Sequence, residues 1–209
     1  MMRLAGKIRQ EGFPGFRDVS VAYNSISIFF DPREIFHNTG SHPGDFILPW
    51  LRRKLEEDCT AEPLPEPRRH LVPVCYETPF ATDVNAYASY TGLSREAIVT
   101  LHTEKPLYVF MVGFNPGFPY LGMLPDAMRM PRKAAPALKV PAGSVGIAGQ
   151  QTGIYPNAGP GGWNIIGRTP LRLFDPAHPD TCLLQAGDLV QFTSIDATTF
   201  AYLNQYENP

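Results

Sequence analysis

The chain has 209 residues, of which 44% are apolar, and a formal net charge of −2 at pH 7. This length accommodates one large domain or two small ones with a filled core. The charge excludes the broad basic surface of nucleic-acid-binding proteins, and the longest apolar run, residues 107–114, is far shorter than the roughly 20 residues of a membrane-spanning helix.

The cysteines and histidines argue against two further classes of protein, those held by disulfides and those that bind a metal. Three cysteines lie far apart without a Cys-x-x-Cys pair, so neither a disulfide framework nor a zinc ribbon is indicated. The N-terminus lacks the apolar core of a signal peptide, and a cytoplasmic location is expected. No metal site is predicted, because the five histidines fall in no ligand spacing.

The first third of the chain predicts a small α+β sandwich. A helix over residues 4–10 precedes two β-type runs, residues 19–22 and 26–30, and Asp31-Pro32 closes the second run. A further helix is indicated by apolar residues at three- and four-residue spacing: Phe46, Ile47, Trp50, Leu51 and Leu55. Three prolines alternating with charged residues predict a linker over residues 61–70, so we assign residues 1–66 to the N-terminal domain.

The region after the linker predicts one strand and two helices. Residues 71–76 form the strand, and residues 83–90 form a helix that Gly92 ends. Ser94 is expected to cap the N-terminus of a helix over residues 95–102, with Glu96 in its first turn. At the end of that helix, His102 is interpreted as a partner of the helix dipole rather than as a base.

From Pro106 onward, short β-rich runs alternate with Gly and Pro. The runs are LYVFMVGF, SVGIAG, TGIYP, WNIIG, PLRLF and DLVQF. Short strands with frequent turns are typical of a closed or nearly closed barrel. We therefore predict a β-barrel domain over residues 67–209.

Residues 113–172 are the candidate binding region. This window carries six basic residues, Arg129, Arg132, Lys133, Lys139, Arg168 and Arg172, against the single acidic residue Asp126. Arginine forks and glycine-turn amides favour a small anionic ligand such as a carboxylate or a phosphate. The window contains no His or Cys, so it lacks the base that a hydrolytic triad needs, unless the distant His102 or Asp188 folds in.

Several features of this window have both a structural and a functional interpretation. GSVGIAG, residues 143–149, resembles a phosphate loop only loosely, and a barrel strand with glycine bends is favoured. Tyr155 and Trp163 either stack on a ligand or cap the barrel. The polar run from Gln150 to Thr152 either satisfies buried backbone or points into a cleft.

The segment FNPGFPYLG, residues 114–122, combines three aromatic rings with two prolines and two glycines. We interpret it as a stiff connection at the end of the strand that precedes it. Phe114 and Leu121 are expected to point inward, and Phe118 and Tyr120 toward a ligand or a partner.

Long strings within residues 72–192 are similar to one family. They include VGFNPGFPYLGMLP, PRK, VPAGSVGIAGQQTGIYP, PGGWNIIGRTPLRLFDP and AGDLVQF. On these strings the chain resembles the 5-oxoprolinase B-subunit family, also known as allophanate hydrolase subunit 1, which includes a sporulation-kinase inhibitor and is related to the carboxyltransferase domain of urea carboxylase.

The resemblance implies an α+β protein with a small N-terminal α/β sandwich domain and a cyclophilin-like β-barrel. It also implies ATP-dependent opening of 5-oxoproline to L-glutamate, in a complex with a homologous second barrel protein of the allophanate hydrolase subunit 2 type and a third subunit. ATP, with Mg²⁺, would be bound by that complex. Family members usually begin with a further strand and a longer helix, so the N-terminal domain is expected to be truncated here.

No catalytic residue carries over from the family. The matched segments instead imply candidates for substrate binding or an interface, namely Pro116, Gly117, Phe118, Pro119, Tyr120, Arg132, Gln150, Gln151, Thr152, Tyr155, Trp163 and Arg168. Two other roles stay open: a regulatory protein that inhibits a histidine kinase, and a subunit of an allophanate hydrolase or urea carboxylase system. Prolyl isomerase activity would rest on fold analogy alone.

Overall fold

The computed structural model describes residues 2–59, 66–178 and 182–207. The chain forms two compact units, Met1–Glu66 and Pro67–Pro209. Among the described helices, none combines the length and the apolar character needed to cross a bilayer.

The first unit packs three helices around a two-stranded sheet. Its elements are α1 (Met2–Glu11), β1 (Phe16–Val21), β2 (Ile26–Phe30), α2 (Pro32–Thr39) and α3 (Pro43–Cys59). The strands are antiparallel, and they pack on α1 through a small buried core of Leu4, Ala5, Ile8 and Val19. Trp50 and Leu51 of α3 pack against this core. The predicted strands and the two predicted helices are confirmed.

Helix α2 was not predicted, because Asp31-Pro32 is equally typical of the end of a strand. In the structure Asp31 caps the helix, and its Oδ1 accepts a hydrogen bond from the backbone N–H of Arg33 at 2.9 Å. Pro32 occupies the first helical turn, where a missing N–H costs nothing. Gly40, at φ 69°, ends the helix in the left-handed conformation.

The described part of the second unit contains a barrel, three α-helices and a short two-stranded sheet. Its strands are β3 (Arg69–Cys75), β4 (Leu107–Val112), β5 (Pro119–Gly122), β6 (Ala137–Val140), β7 (Ser144–Ala148), β8 (Gln151–Ile154), β9 (Gly159–Gly161), β10 (Asn164–Arg168) and β11 (Leu189–Ile195). Its helices are α4 (Val84–Thr91), α5 (Arg95–Thr103) and α6 (Ala197–Glu207). The predicted cap of α5 is confirmed, since Ser94 Oγ accepts from the Ala97 N–H at 3.1 Å.

Seven strands close into a barrel in the order β10-β3-β11-β4-β5-β8-β7. Strands β3 and β11 are parallel and the other pairs are antiparallel. The α+β class and the predicted closed barrel are therefore confirmed. Strands β6 and β9 form a separate two-stranded antiparallel sheet.

Two segments of the barrel unit differ from prediction. PLRLF forms no strand; within it only Phe174 pairs, in an isolated bridge to Cys182. Conversely, the second half of FNPGFPYLG is not a connection, since Pro119–Gly122 is barrel strand β5 between β4 and β8. A proline at the first residue of a strand is tolerated because its missing N–H need not join the ladder.

Candidate functional site

A small depression lined by aromatic rings, here called the aromatic cavity, lies against the barrel. Its volume is about 70 Å³. Its lining residues come from the β4–β5 turn, from β5, from the segment before β6, from the loop after β8, and from the end of β9 and the loop after it: Phe114, Phe118, Tyr120, Arg132, Tyr155, Gly161, Gly162 and Trp163. Five of the predicted candidates, Phe118, Tyr120, Arg132, Tyr155 and Trp163, thus come together here.

Phe118 is the centre of the aromatic cavity. Its ring centroid lies 4.9 Å from that of Tyr120, 5.2 Å from that of Tyr155 and 5.4 Å from that of Trp163. The last two pairs are edge-to-face, the geometry that aromatic quadrupoles favour. Phe118 is 1% exposed, so it fixes the surrounding rings from within and presents almost no surface of its own.

Two glycines allow these rings to pack closely. A Cβ on Gly153 would lie 2.9 Å from the Phe118 ring and 2.8 Å from the Pro119 carbonyl oxygen. A Cβ on Gly161 would collide with the Tyr155 phenol ring. Larger residues at either position would therefore displace the wall of the aromatic cavity. The sequence signal for Gly161 and Gly162, which were not predicted, was the glycine pair directly before Trp163.

The predicted orientations within FNPGFPYLG are half wrong. Leu121 is buried, as predicted, and Tyr120 is half-buried at the cavity wall. Phe114 and Phe118 are exchanged, because Phe114 is 70% exposed and Phe118 is buried. The cause is a turn: the Phe118 N–H donates to the Asn115 carbonyl at 3.0 Å, and Phe114 adopts a φ of 71° that turns it outward.

The aromatic cavity offers hydrogen-bond donors and one cation. The Arg132 guanidinium carbon lies 5.8 Å from the centre of the Trp163 ring, within cation–π range. Burial raises the pKa of Tyr120, against a smaller lowering effect of Arg132. Burial likewise raises the pKa of Tyr155. Both phenols therefore stay protonated near neutral pH, and the half-buried Tyr120 can donate a hydrogen bond to an acceptor on a ligand, whereas Tyr155 is only 2% exposed.

Of the two interpretations left open for the polar run from Gln150 to Thr152, at the start of β8, the structure favours the structural one. The Gln150 amide Nε2 donates to Asp126 Oδ1 at 2.9 Å and to the Leu124 carbonyl at 3.3 Å. Thr152 is buried in the barrel interior, and Gln151 is half-buried in the strand. None of these three residues lines the aromatic cavity.

The proline and glycine candidates also lie outside the cavity wall. Gly117 is buried at φ 81°, and a Cβ there would lie 2.7 Å from Phe174 Cβ. Pro119 is buried in β5, and Pro116 is exposed on the turn. They shape the segment that carries Phe114 and Phe118, but they do not face the cavity.

Arg168 is separated from the other candidates. Trp163 precedes β10 and Arg168 ends it, so five residues at about 3.3 Å each place their Cα atoms roughly 16 Å apart. Arg168 lines a different depression, together with Arg172 and Thr169. The predicted single cleft is therefore two sites.

Acidic residues outside residues 113–172 partly compensate the excess of positive charge that was predicted for that region. Lys133 Nζ lies 2.6 Å from Asp83 Oδ2, which also accepts the Ile165 N–H at 2.7 Å. Arg172 Nη2 pairs with Asp175 Oδ1 at 3.0 Å. The described ion pairs within 4 Å include none of Arg132 or Arg168 with a carboxylate whose side chain the structure describes.

His102 does not act as a helix-dipole partner, contrary to prediction. It is fully buried, and its ring stacks on Phe192 at 4.4 Å. Its Nδ1 is 2.7 Å from the Tyr76 hydroxyl and its Nε2 is 3.0 Å from Thr152 Oγ1. Burial lowers the pKa of His102 to about 3, so the ring is neutral and cannot serve as a cation. It lies in the barrel interior and not in the aromatic cavity.

Asp188 is also engaged elsewhere. It pairs with Arg68 through both carboxylate oxygens, at 2.9 and 2.7 Å, and lies 3.1 Å from His70. Neither His102 nor Asp188 therefore supplies a base to the aromatic cavity. Within the described ranges, no cluster of three or more metal-ligating side chains occurs.

The chain matches one family model and is similar in sequence to proteins of known name. The family model described as the carboxyltransferase domain, subdomain C and D, matches residues 1–184. The B subunit of 5-oxoprolinase from Bacillus subtilis is 39% identical over 209 residues, covering 98% of this chain and 86% of that protein. The protein of the same name from Escherichia coli O157:H7 is 49% identical over 142 residues, covering 68% of this chain and 64% of that protein.

The fold also recurs in a larger enzyme. The urea carboxylase of Kluyveromyces lactis superposes on 99% of this chain with a TM-score of 0.77 and 19% identity, and the match covers 20% of that chain. At this identity the similarity concerns the fold alone.

Proposed function

The chain belongs to the family of the carboxyltransferase domain, subdomain C and D, and from this premise we propose that it is one subunit of a 5-oxoprolinase. The observation that carries the proposal is the 39% identity to a 5-oxoprolinase protein, the B subunit, across 98% of this chain. The proposed reaction opens the lactam ring of 5-oxoproline to L-glutamate and is driven by ATP hydrolysis.

The aromatic cavity supports a binding role in this reaction. A lactam has two flat faces, a carbonyl acceptor and, in 5-oxoproline, a carboxylate. Aromatic rings pack on the faces, protonated phenols donate to the carbonyl, and a guanidinium attracts the carboxylate. Tyr120, Tyr155, Trp163 and Arg132 provide these groups around one depression. Its volume of about 70 Å³ fits an edge of a small molecule and is too small for a nucleotide.

The same lining supports a shared active site. Its members include no carboxylate and no imidazole, whereas opening an amide ring needs a group that transfers protons in the transition state. We assign that group to a partner. The partners proposed are a homologous second barrel protein and a third subunit, with the aromatic cavity forming one wall of the assembled site.

We propose that this chain alone does not hold ATP, and two observations on the described residues support this. Residues 143–149, the only segment resembling a phosphate loop, lie largely in barrel strand β7, and their amides pair with neighbouring strands. The described ranges also lack a cluster of carboxylates that would hold Mg²⁺. In this proposal ATP and Mg²⁺ are therefore held by the assembled complex, outside the aromatic cavity.

Reconstitution tests the proposal. The chain is purified alone and with its co-expressed barrel partner and third subunit, and ATP hydrolysis is measured with 5-oxoproline, urea and allophanate in parallel. We expect ATP hydrolysis that depends on 5-oxoproline only in the complete mixture. ATP hydrolysis that depends on urea or allophanate would show that this compound, and not 5-oxoproline, is the substrate. Full activity of the isolated chain would refute the shared active site.

A regulatory role is the second candidate, and one observation favours it. Phe114 is 70% exposed at the rim of the aromatic cavity, and an exposed aromatic side chain is a typical anchor in protein interfaces. A purified histidine kinase whose autophosphorylation falls on addition of this chain, but not of the Phe114→Ser variant, would support this role.

A further inference from the structure

A second depression, here called the arginine cleft, lies beyond the end of β10. Its volume is about 240 Å³. It is lined by Ala142, Gly143, Pro156, Arg168, Thr169, Pro170, Leu171, Arg172 and Asn204. It shares no lining residue with the aromatic cavity, and the adjacent residues Tyr155 and Pro156 line different depressions.

Arg168 is held rigidly in the arginine cleft. Its Nε donates to the Ala142 carbonyl at 2.7 Å, and its guanidinium carbon lies 5.7 Å from the centre of the Phe200 ring. The hydrogen bond fixes one edge of the planar guanidinium and the ring contact fixes its plane. The two terminal nitrogens then present a preorganised fork, the arrangement that binds a carboxylate or phosphate through two parallel hydrogen bonds.

Among the side chains that the structure describes, no carboxylate compensates the charge of Arg168. The side chain is half-buried, and burial lowers its pKa, although an arginine stays protonated at neutral pH. The described ion pairs within 4 Å include none that joins its guanidinium to a carboxylate. A partly desolvated cation without a counter-ion is costly, and an anion in the cleft would offset that cost.

Arg172, the second arginine of the arginine cleft, contributes to the net charge of the cleft together with its partner Asp175. Arg172 pairs with Asp175 at 3.0 Å, and Asp175 also accepts from the Ala177 N–H and lies 3.1 Å from His178 Nδ1. These contacts hold Asp175 in its charged form, since its pKa is lowered by His178, the Ala177 N–H and Arg172. Taken by themselves, these two guanidiniums and this one carboxylate sum to a single positive charge, which matches a monoanion.

We propose that the arginine cleft binds a small carboxylate, with the Arg168 fork as its main contact and Arg172 as a second donor. The charge count favours a carboxylate over a phosphate, which would bring a second negative charge toward Asp175. The cleft is a second site, separate from the aromatic cavity. The proposal does not rest on the proposed function, because it needs only the barrel unit of this chain.

Titration of the isolated full-length chain tests the cleft. The backbone amide resonances of Gly143 and Thr169 are followed by NMR as acetate, L-glutamate or inorganic phosphate is added at constant ionic strength. We expect saturable shifts with the two carboxylates and weaker binding of phosphate. No saturable shift with either carboxylate would overturn the proposal, and tighter binding of phosphate would overturn the ligand class.

Variants locate the binding. We expect Arg168→Gln and Arg168→Lys each to weaken carboxylate binding by about tenfold or more, because lysine keeps the charge but loses the fork. Arg172→Gln should weaken it less. The matched control is Arg129→Gln, which removes an exposed arginine of the same unit outside the cleft. Equal carboxylate binding by wild type and Arg168→Gln would refute the assignment of Arg168 as the main contact. Arg172→Gln tests the cleft even if the Arg168 variants fold poorly. Since neither ATP nor a partner is present, a negative result here leaves the proposed function untouched.

Discussion

The imidazole of His102 lies 3.0 Å from the hydroxyl of Thr152 inside the barrel and joins helix α5 to strand β8. Thr152 Oγ1 also lies 3.1 Å from the Gly146 carbonyl, to which it donates its proton. It therefore accepts from His102 Nε2–H, and His102 Nδ1 accepts from the Tyr76 hydroxyl at 2.7 Å. The neutral ring is satisfied at both nitrogens, as a buried polar group must be.

The first prediction removes one end of this network. Thr152→Val keeps the side-chain shape but leaves the buried Nε2–H of His102 without an acceptor. We expect the free energy of unfolding to fall by about 1–3 kcal/mol, measured by urea denaturation. Thr100→Val, at an exposed position on α5, is the control and should change it by less than about 0.5 kcal/mol. Equal stability of the two variants would show that the network contributes nothing.

The second prediction concerns acid stability. Burial lowers the pKa of His102 to about 3, from an ordinary value of 6.5. Between those values the unfolded chain binds a proton that the folded chain does not, so the stability from the neutral ring is complete above pH 6.5 and is lost as the pH falls toward 3. We expect His102 to contribute a fall in unfolding free energy of about 1.4 kcal/mol per pH unit in this range.

The contribution of His102 is isolated by comparing how the unfolding free energies of wild type and a His102 variant depend on pH. Unfolding free energies of wild type and His102→Gln are measured between pH 6.5 and 5, above the range where most carboxylates titrate. The variant should be less stable at neutral pH but should show a shallower dependence on pH. The two neighbouring polar groups do not confuse the comparison, since burial raises the pKa of Tyr76 and Thr152 does not titrate. Parallel slopes would contradict the assignment.

The third prediction uses a matched pair of glycines. A Cβ on Gly153 would lie 2.8 Å from the Pro119 carbonyl and 2.9 Å from the Phe118 ring, whereas a Cβ on Gly159 would meet nothing within 4 Å. We expect Gly153→Ala to destabilise the protein by about 1–3 kcal/mol and Gly159→Ala to leave it nearly unchanged. Thermal unfolding of the two variants measures the difference, and similar melting temperatures would refute the close packing.

Helices with local signals were predictable from the sequence. The Ser94 cap and the Gly92 stop are encoded within a few residues, and the structure has both. Strands β6 and β9 were not predicted, because Ala137–Val140 and Gly159–Gly161 lack the alternating apolar residues that identify a strand. Their pairing with each other depends on the tertiary fold.

The candidate site was predictable in its residue types and less so in its geometry. Phe114 and Phe118 were exchanged because the direction of each ring is set by the turn between them, in which Phe114 adopts a φ of 71°, and no local pattern predicts that turn. Arg168 and Trp163 were grouped because both belong to the matched string PGGWNIIGRTPLRLFDP. Once residues 164–168 form strand β10, Trp163 and Arg168 are about 16 Å apart. The neutral His102 was unpredictable, since no local pattern places a helix residue inside a barrel.

The fourth prediction separates the two exchanged rings. Phe118→Ala removes a fully buried ring at the centre of the aromatic cavity and should cost about 3–5 kcal/mol in unfolding free energy. Phe114→Ala removes a ring that is 70% exposed and should cost less than about 0.5 kcal/mol. Urea denaturation of both variants measures the contrast. A large loss at Phe114 with none at Phe118 would restore the orientation predicted from the sequence.

The last prediction addresses substrate binding in the assembled complex. Arg132 lies over the Trp163 ring at the aromatic cavity and has no described carboxylate within 4 Å, so its charge is available to the carboxylate of 5-oxoproline. Arg132→Gln should raise KM for 5-oxoproline by about tenfold, the cost of one exposed charge-assisted hydrogen bond, with a smaller change in kcat.

Two comparisons distinguish this binding role from a general loss of structure. Arg132→Lys keeps the charge and should recover part of the affinity, whereas Arg129→Gln removes an exposed arginine outside the cavity and should leave KM unchanged. Steady-state ATP hydrolysis as a function of 5-oxoproline concentration measures all three variants. If Arg132→Gln lowers kcat alone, or if Arg129→Gln raises KM equally, then the aromatic cavity is not where this chain meets the substrate carboxylate.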